Sequence, residues 1–306
     1  MKMAVYHGIR DLRVEEVEEP EAGEREAKIK VMYCGICGSD VHEYVHGLFA
    51  ESFFGHEACG EIVEAGTGLE GFQVGDRVMA LSKDGYAQYM VCPQEKMVKI
   101  PEGMNWKRAA AVEPLAVAAY CIKRAGAEPT DRVLITGAGP IGLMLLMGLK
   151  ATGVKTVYMT DISEKRRRKA EELGATEVFN PLEVRVSSIM KGLTEGRGVD
   201  VAIEAVGVEE SLKDCLSSLK HRGRVVVAGI FTDRVKLHML GFVTRETTMI
   251  GTNSHAPDLA LEWIINKGLA PEAIVTKIIP LEQISTEGFE VLTARKGDEI
   301  KILVEP

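Results

Sequence analysis

The sequence predicts an α/β fold made of two domains. The chain has 306 residues, which is enough for about two domains. Its first third contains short apolar runs separated by glycine turns, and from Asp131 onward predicted strands and helices alternate. We expect one domain to comprise residues 1–115 and, discontinuously, 255–306, and the other to comprise residues 116–254.

Residues 1–115 are predicted to form a β-rich module. Branched and aromatic residues recur in short runs at Ala27–Tyr33, Cys59–Ala65 and Arg77–Ala80. Glycine turns such as Gly66-Thr67-Gly68 separate these runs. Short strands joined in this way are typical of a compact β domain.

The middle of the chain is predicted to form a doubly wound parallel sheet with helices on both faces, because strands and helices alternate along it. An alanine-rich helical segment, Trp106–Gly126, precedes the alternation. After His255 the pattern becomes mixed, and Glu299–Val304 is expected to be an edge strand that rejoins the first domain. The predicted strands are Arg132–Thr136, Thr156–Thr160, Val199–Glu204 and Arg224–Ala228, and the predicted helices begin at Pro140 or span Ser163–Leu173 and Ser211–Leu219.

Charge and composition argue against several classes of function. The chain has 37 lysines and arginines against 45 aspartates and glutamates, and its net charge of −8 disfavours a general nucleic-acid or membrane-surface role. The longest apolar run, Ile141–Leu149, is too short to span a bilayer, which takes about 20 residues. The N-terminal residues are too charged for a secretory signal, and six cysteines in this length do not make a disulfide scaffold. We therefore expect a soluble, cytoplasmic protein with reduced thiols.

A glycine-rich turn indicates where a dinucleotide binds. The turn follows a predicted strand and opens a predicted helix, whose free N–H groups and positive dipole end favour a phosphate. Gly137 allows the tight turn, Gly139 the close approach of the pyrophosphate, and Gly142 the close packing of helix against strand. The turn consists of Gly137, Ala138, Gly139, Pro140, Ile141 and Gly142.

The next predicted strand ends at Asp161, which bears on the choice of cofactor. A carboxylate there accepts hydrogen bonds from the adenosine ribose hydroxyls and repels a 2′-phosphate, which favours NAD over NADP. Alternatively, Asp161 caps the helix that begins near Ser163. Most charges of the basic run 165–169 are expected on a solvated helix face, but Arg166 is placed to flank the adenine or to reach a 2′-phosphate. NADP therefore stays open as the less favoured cofactor.

The candidate metal ligands are Cys37, His56 and either Glu57 or Glu113. A thiolate, an imidazole and a carboxylate together suit a catalytic zinc ion that keeps one position open. Cys34 and Cys37 form a CxxC, but no second CxxC follows, which excludes a closed all-cysteine zinc site. Glu113 interrupts an alanine-rich run, where a buried carboxylate needs a cation or hydrogen-bond partners. The alternative for Glu113 is a place on the exposed face of a helix.

Ser39 and His42 are the candidate proton carriers. A serine hydroxyl both donates and accepts, and histidine titrates in the required range. Asp40 is placed to orient one of the metal ligands. The alternatives are a helix cap for Ser39 and Asp40 and a surface position for His42. A metal that stabilises an alkoxide, a proton carrier and a hydride carrier together point to alcohol oxidation.

Motifs along most of the chain carry a family resemblance. They are CGICGSDVH, GHEACGEIVEAG, GFQVGDRV, VEPLAVAAY, VLITGAGPIGL, EAVG and VVVAGI. In these motifs the chain resembles the zinc-containing medium-chain dehydrogenases, closest to their sorbitol-type polyol, sugar-acid and threonine branches. The resemblance implies a GroES-like catalytic domain, a Rossmann domain, one catalytic Zn²⁺ per chain and NAD.

The resemblance also implies roles for individual residues. It makes Cys34 a bystander, and it places the nicotinamide near the backbone of two later loops. The implied zinc ligands are Cys37, His56 and Glu57, with Glu113 beside the metal, bound directly or through water, and with Ser39 and His42 as the proton relay. The implied cofactor residues are Gly137, Gly139, Gly142, Asp161, Arg166, Ala228, Gly229, Ile230, Thr252 and Asn253.

Two features depart from the family pattern. Many relatives carry a lobe with four closely spaced cysteines that binds a structural zinc, whereas here GDRVMALSKDGYAQYMVCP runs straight across that place. The segment between Cys37 and His56 is also shorter than usual. These losses concern the substrate cleft and the subunit contacts rather than the chemistry. Residues Tyr44 to Phe54 are expected to line the entrance to the cleft.

The sequence therefore predicts an NAD-dependent, single-zinc dehydrogenase that oxidises a secondary alcohol. The expected substrate is a polyol or a sugar acid, with L-threonine as the alternative. Two other classes stay open, a zinc-free medium-chain reductase of enones or quinones and a non-catalytic NAD-binding protein. We expect a homo-oligomer, a dimer or a tetramer, with a small-molecule alcohol substrate and no nucleic-acid or membrane partner.

Overall fold

Two compact units make up the part of the chain that the structure describes. This computed structural model describes residues 1–48, 54–294 and 299–306. The first unit comprises Met1–Glu113 with Glu272–Pro306, and the second comprises Pro114–Pro271. Within the segment expected to line the entrance, residues 49–53 lie outside the described residues.

The second unit extends further along the chain than the sequence predicts. We expected the return to the first domain at residue 255, whereas residues 255–271 belong to the second unit. Packing of Trp263 explains the difference, because its buried ring lies against Gly148, where a Cβ atom would come 2.5 Å from the ring. The helix that carries Trp263 therefore completes the core of the second unit.

The first unit is a β domain, as predicted. Along the strand Glu26–Gly35, the alternate residues Ala27, Ile29 and Val31 are buried, because successive side chains of a strand point to opposite faces. The elements before residue 112 are strands β1 (Lys2–Gly8), β2 (Asp11–Glu16), β3 (Glu26–Gly35), β4 (Glu57–Ala65), β5 (Arg77–Ala80), β6 (Tyr89–Pro93) and β7 (Met97–Lys99), and helices α1 (Gly38–His46) and α2 (Trp106–Ala110).

The second unit is a parallel six-stranded sheet with helices between its strands, which confirms the predicted fold class. The middle residues of its two central strands, Val133–Ile135 and Val201–Ile203, are all apolar and buried, because helices cover both faces of such a sheet. The first element, α3 (Val112–Ala125), begins in the first unit with Val112 and Glu113. The others are β8 (Arg132–Thr136), α4 (Pro140–Ala151), β9 (Thr156–Thr160), α5 (Glu164–Glu172), β10 (Glu177–Phe179), α6 (Val186–Leu193), β11 (Val199–Glu204), α7 (Glu209–Ser218), β12 (Leu219–Val227), α8 (Met239–Thr244), β13 (Thr248–Gly251) and α9 (Pro257–Lys267).

The strand order of this sheet fixes its ligand-binding edge. The order is β10-β9-β8-β11-β12-β13, and every neighbouring pair is parallel. The order in which strands are added reverses at this point, because β9 and β10 lie on one side of β8 and the strands from β11 onward lie on the other. Open α/β sheets bind ligands at the carboxyl ends of the strands beside such a switch point.

The C-terminal stretch returns to the first unit as an interior strand. It contains β14 (Val275–Pro280), α10 (Glu290–Thr293) and β15 (Lys301–Glu305). The sheet order is β14-β15-β3-β4-β5-β7, with β6 also paired to β3. The prediction of an edge strand at Glu299–Val304 is therefore wrong, because β15 has a hydrogen-bonded neighbour on each side.

Each unit has its own hydrophobic core. Ile29, Ile62 and Phe289 are fully buried in the first, and Leu134 and Val225 in the second. Within the described ranges we find no helix that is both long and apolar enough to cross a membrane.

Candidate functional site

The pairing of β3 with β4 brings the predicted metal ligands together. Gly35 near the end of β3 lies opposite Glu57 at the start of β4. Cys37 follows β3 as the N-cap residue of α1, and His56 immediately precedes β4. One ligand atom each from Cys37, His56 and Glu57 lies within 4.8 Å of the others. The three side chains thus converge on a point that a single ion can occupy.

Burial and neighbouring charges together shift the pKa values of the three residues in this cluster. Burial raises the pKa of the Cys37 thiol, and the Glu57 carboxylate raises it further. Burial lowers the pKa of His56, but the Cys37 thiolate and the Asp40 carboxylate outweigh it and raise that pKa overall. Burial likewise raises the pKa of Glu57, while Lys301 opposes the rise.

A buried hydrogen-bond network orients His56. Asp40 is 1% exposed, and its Oδ1 lies 3.4 Å from Nδ1 of His56. Its Oδ2 accepts from the Tyr86 hydroxyl at 2.5 Å and from the backbone N–H of Cys37 at 3.4 Å. This arrangement leaves Nε2 of His56 for a metal ion, as in other sites where a carboxylate holds a ligating histidine. The bond to Cys37 also makes Asp40 part of the cap of α1, which is the alternative considered for it.

Lys301 is a buried residue of the site that the sequence analysis missed. It is 1% exposed, and its Nζ contacts Oε2 of Glu57 and donates to the backbone carbonyl of Ile36 at 3.0 Å. The available signal was a lysine at the head of the apolar strand KILVE. Because buried lysines are rare unless they are paired, a lysine in an apolar strand predicts a carboxylate close to it.

Glu113 lies close to this group of charges but outside the tight cluster. It is 3% exposed in the first turn of α3. Its charge raises the pKa of Glu57 and of Lys301, although in each case burial has the largest effect. The three-residue cluster does not include it. The alternative of a place on an exposed helix face is therefore wrong for Glu113.

Ser39 and His42 both lie on α1, three residues apart and so on the same side of the helix. Ser39 Oγ is buried and has no hydrogen-bond partner among the described residues. Burial lowers the pKa of His42, and the nearby His46 lowers it further. A neutral imidazole and an unsatisfied hydroxyl beside Cys37 are suited to hand on a proton.

The glycine turn has the geometry that the sequence predicts. Gly137 has φ +94°, a conformation that favours glycine. A Cβ atom on Gly142 would overlap the carbonyl of Gly137, so only glycine permits this close packing. Gly139 is the N-cap of α4, and Pro140 occupies the first helical turn. The helix therefore starts with its free N–H groups beside the turn.

Asp161 fastens the glycine turn to the strand beside it. Its Oδ2 accepts from the backbone N–H of Ala138 at 2.8 Å, and its Oδ1 accepts from that of Ser163 at 2.8 Å. The N-cap of α5 is Ser163, whose hydroxyl accepts from the N–H of Arg166. The alternative of Asp161 as N-cap is therefore wrong. Nη1 of Arg166 lies 3.8 Å from the position of a Cβ on Gly139, beside the turn.

The other predicted cofactor residues follow the carboxyl ends of β12 and β13. Ala228, Gly229 and Ile230 come directly after β12, and Thr252 and Asn253 directly after β13. Since all strands of this sheet are parallel, these residues lie at the same edge as the glycine turn. This is the edge where the fold class binds its ligands.

Glu204 is a second buried residue that the sequence analysis missed. It ends β11 and is fully buried, and its Oε1 accepts from Val206 N at 2.8 Å, Gly207 N at 2.9 Å and Ser211 Oγ at 2.6 Å. Its backbone carbonyl accepts from the N–H groups of Ala228 and Gly229. Glu204 therefore joins the loops after β11 and β12. The signal was the EAVG motif, to which we assigned no role.

Both halves of the chain match families of known proteins. Residues 23–102 match the alcohol dehydrogenase GroES-like domain. Residues 140–264 match the zinc-binding dehydrogenase family. The first match falls in the unit that holds the ligand cluster, and the second in the unit that holds the glycine turn.

Two curated relatives are similar over essentially their whole length. The (R,R)-butanediol dehydrogenase of Bacillus subtilis is 33% identical, with 100% of this chain and 100% of that protein covered. The sorbitol dehydrogenase of Halalkalibacterium halodurans is 30% identical, with 98% of this chain and 97% of that protein covered.

Solved structures of similar fold include complexes with both nicotinamide cofactors. The structure of 2R,3R-butanediol dehydrogenase from Bacillus subtilis has a TM-score of 0.91 at 32% identity, covering 100% of this chain and 99% of that one. A zinc-binding dehydrogenase from Sinorhizobium meliloti, bound to NADP, has a TM-score of 0.91 at 26% identity and the same coverage. An alcohol dehydrogenase from Escherichia coli, in complex with NADH, has a TM-score of 0.92 at 25% identity and again the same coverage.

Proposed function

This chain belongs to the zinc-binding alcohol dehydrogenase family and is an oxidoreductase of alcohols, and we propose that it oxidises a secondary hydroxyl of a polyol or diol and transfers the hydride to NAD. One observation carries the proposal, the approach of Cys37, His56 and Glu57 ligand atoms to within 4.8 Å of one another. A zinc-free reductase or a non-catalytic NAD-binding protein has no use for such a cluster.

The donor set fits a catalytic zinc ion. Cys37 offers a thiolate, His56 a ring nitrogen whose partner nitrogen Asp40 holds, and Glu57 a carboxylate oxygen. Three protein ligands leave a position for a substrate oxygen. A zinc ion held there supplies a positive charge that makes a bound alcohol easier to deprotonate. We propose Glu113 as the neighbouring carboxylate that faces the metal directly or through water.

Ser39 and His42 are proposed to carry the alcohol proton away. The buried Ser39 hydroxyl can accept a proton and pass its own on, because it is both donor and acceptor. His42 is neutral at pH 7, since burial and His46 lower its pKa, so its ring can receive that proton. Both residues are held on α1, directly after Cys37.

NAD is the proposed hydride acceptor. Asp161 places a carboxylate beside the glycine turn, where it repels a 2′-phosphate. Arg166 is the residue that would pair with such a phosphate, so these two side chains set the preference between cofactors. The proposed cofactor residues are Gly137, Gly139, Pro140, Ile141, Gly142, Asp161, Arg166, Ala228, Gly229, Ile230, Thr252 and Asn253.

The substrate is proposed to be a vicinal diol or a sugar alcohol, as the names of the butanediol and sorbitol dehydrogenases suggest. Sugar acids and L-threonine, which share a secondary hydroxyl, are the less favoured alternatives. A screen of the 2,3-butanediol stereoisomers, sorbitol, xylitol, aldonates and L-threonine, followed by NADH absorbance, tests this. The same preparation should contain one zinc ion per chain by elemental analysis. Full turnover in metal-free protein would contradict the proposal.

We also propose that the protein is a homo-oligomer of the cytoplasm. Its six cysteines are free, and five of them are buried, which suits a reducing compartment. Light scattering on the purified protein measures the number of subunits, and a monomer would contradict the first part of this proposal.

A further inference from the structure

Lys301 and Glu57 form a buried ion pair at the proposed metal site. The two residues are 1% and 2% exposed, and Nζ of Lys301 contacts Oε2 of Glu57. The same Nζ donates to the carbonyl of Ile36 at 3.0 Å. A second buried carboxylate, Glu113, acts electrostatically on both. One buried lysine therefore lies among two carboxylates and a thiol.

The backbone is shaped to hold this pair in place. Gly35 lies opposite Glu57 on one side of β3 and opposite Leu303 of β15 on the other. A Cβ atom on Gly35 would overlap Oε2 of Glu57 and would come 2.7 Å from Cε of Lys301. The absence of a side chain at this residue leaves the space in which the lysine and the carboxylate meet.

A buried carboxylate needs a compensating charge or hydrogen bonds, and at Glu57 two cations can supply the charge. Without a metal ion, Lys301 neutralises Glu57 through one of its oxygens. With a metal ion at the cluster, the ion itself neutralises Glu57, and the lysine then adds a positive charge close to another. The two cations therefore oppose each other across a single side chain.

We propose that Lys301 is a positioning residue that takes the place of the metal charge in the metal-free protein and thereby limits the affinity for zinc. The proposal rests on the proposed function, because it assumes that the metal binds at Cys37, His56 and Glu57. Lys301 contacts Oε2 of Glu57, so its charge lies directly beside the carboxylate that would bind the ion. It keeps the ligand cluster folded when no metal is bound, at the cost of tight metal binding.

Replacing Lys301 with methionine tests this inference. Lys301→Met should bind zinc at least about tenfold more tightly, because a nearby positive charge is gone. Its metal-free form should unfold at a temperature lower by about 10 °C, because Glu57 is left buried and uncompensated. The zinc-loaded form should lose less than half of that. A lysine with a merely structural role would lower both melting temperatures equally.

The measurements use the full chain after removal of metal with a chelator. Zinc affinity is obtained by competition with a chromophoric chelator, and the absorption spectrum of the cobalt-substituted protein reports the ligand geometry. Lys277→Met is the matched control, since Lys277 lies on the neighbouring strand β14, is partly exposed and pairs with Glu287. The control should leave zinc affinity and the cobalt spectrum unchanged.

The outcomes separate the inference from the proposed function. If the wild-type chain binds no zinc, both are overturned. If the wild type binds zinc but Lys301→Met binds it equally or more weakly, only the role of Lys301 is overturned. Should Lys301→Met be recovered only with zinc present, Lys301→Gln provides the metal-free measurement. Failure of both variants to fold even with zinc would also contradict the inference, because the ion should replace the lost charge.

Discussion

Two buried carboxylates, one in each unit, are held in opposite ways. Glu57 is 2% exposed and meets a cation, Lys301, within a group of other charged side chains. Glu204 is 0% exposed and accepts three hydrogen bonds from neutral donors: Val206 N, Gly207 N and the Ser211 hydroxyl. The first carboxylate is balanced by charge and the second by hydrogen bonds.

The difference matches what each region has to do. A carboxylate balanced by charge can exchange one cation for another, which suits a metal site. A carboxylate balanced by backbone N–H groups is fixed, which suits a loop that must keep its shape for a dinucleotide. Substitutions in the charged cluster around Glu57 should therefore alter metal binding and leave cofactor binding unchanged. Substitutions around Glu204 and Asp161 should alter cofactor binding and leave metal binding unchanged.

The largest effect is expected from Cys37→Ser. A serine hydroxyl is a poor zinc donor, so the variant should lose its zinc, and kcat/KM should fall by at least about 1,000-fold. Its affinity for NAD, measured by NADH fluorescence, should stay within about twofold of wild type. Full activity in a metal-free Cys37→Ser protein would overturn the assignment of Cys37 as a ligand of a catalytic zinc ion.

Asp161→Ala should produce the largest effect in the other region. Loss of the charge-assisted hydrogen bonds that the Asp161 carboxylate accepts should raise the KM for NAD by about 10- to 100-fold. The preference for NAD over NADP should become smaller. Zinc content should not change. Asp258→Ala, at an exposed residue of α9, is the control and should match the wild type. Unchanged cofactor selectivity would remove Asp161 from its role.

Tyr86→Phe tests whether the Tyr86–Asp40 hydrogen bond helps to hold His56 in place. Without the hydroxyl, Asp40 loses its 2.5 Å hydrogen bond and holds His56 less firmly. Zinc affinity, measured by chelator competition, should fall about tenfold while NAD binding is retained. Tyr89→Phe, on β6 of the same sheet, should leave zinc affinity unchanged. Equal affinities in the two variants would argue against the Asp40 network.

Glu204→Gln should have a smaller effect. The glutamine amide keeps the size of the side chain. Its neutral oxygen accepts the three hydrogen bonds more weakly than the carboxylate of the wild type does. The KM for NAD should rise about threefold, and the free energy of unfolding should fall by about 1 kcal/mol. Zinc affinity should be unchanged, and Glu210→Gln, at an exposed residue of α7, is the control. A loss of zinc in Glu204→Gln would break the comparison between the two carboxylates.

The smallest effect is the pH dependence that His42 contributes. Burial and the nearby His46 lower its pKa from 6.5, so the unfolded chain binds more protons than the folded one. The contribution of His42 to stability is therefore present above pH 6.5 and is lost as the pH falls through and below that value. Urea unfolding measures the free energy of unfolding at pH 8 and at pH 5. Between these two pH values it should fall less in His42→Gln than in the wild type. An equal loss in both proteins would contradict this.

Local patterns predicted most of the fold. The strands predicted at Arg77–Ala80, Arg132–Thr136, Thr156–Thr160 and Val199–Glu204 have those same bounds in the structure. Short runs of branched apolar residues, two of them followed directly by Gly137 or Asp161, specify such strands without help from distant residues. The glycine turn was equally readable, since each glycine is required by local geometry.

Long-range features could not be predicted in this way. The burial of Lys301 depends on β15 pairing with β3, and no local pattern tells an interior strand from an edge strand of similar composition. The place of α9 depends on Trp263 meeting Gly148. The roles of Tyr86 and Glu204 likewise depend on partners that only the folded chain brings near.

The interior position of β15 has a consequence for synthesis on the ribosome. The segment Pro114–Pro271 is continuous and is translated before Lys301 exists, so its sheet can assemble while the chain is still growing. The sheet that carries Cys37 and His56 must meanwhile wait with a gap beside β3. A nascent chain therefore acquires its nucleotide fold before the balancing lysine reaches Glu57 and the other proposed metal ligands.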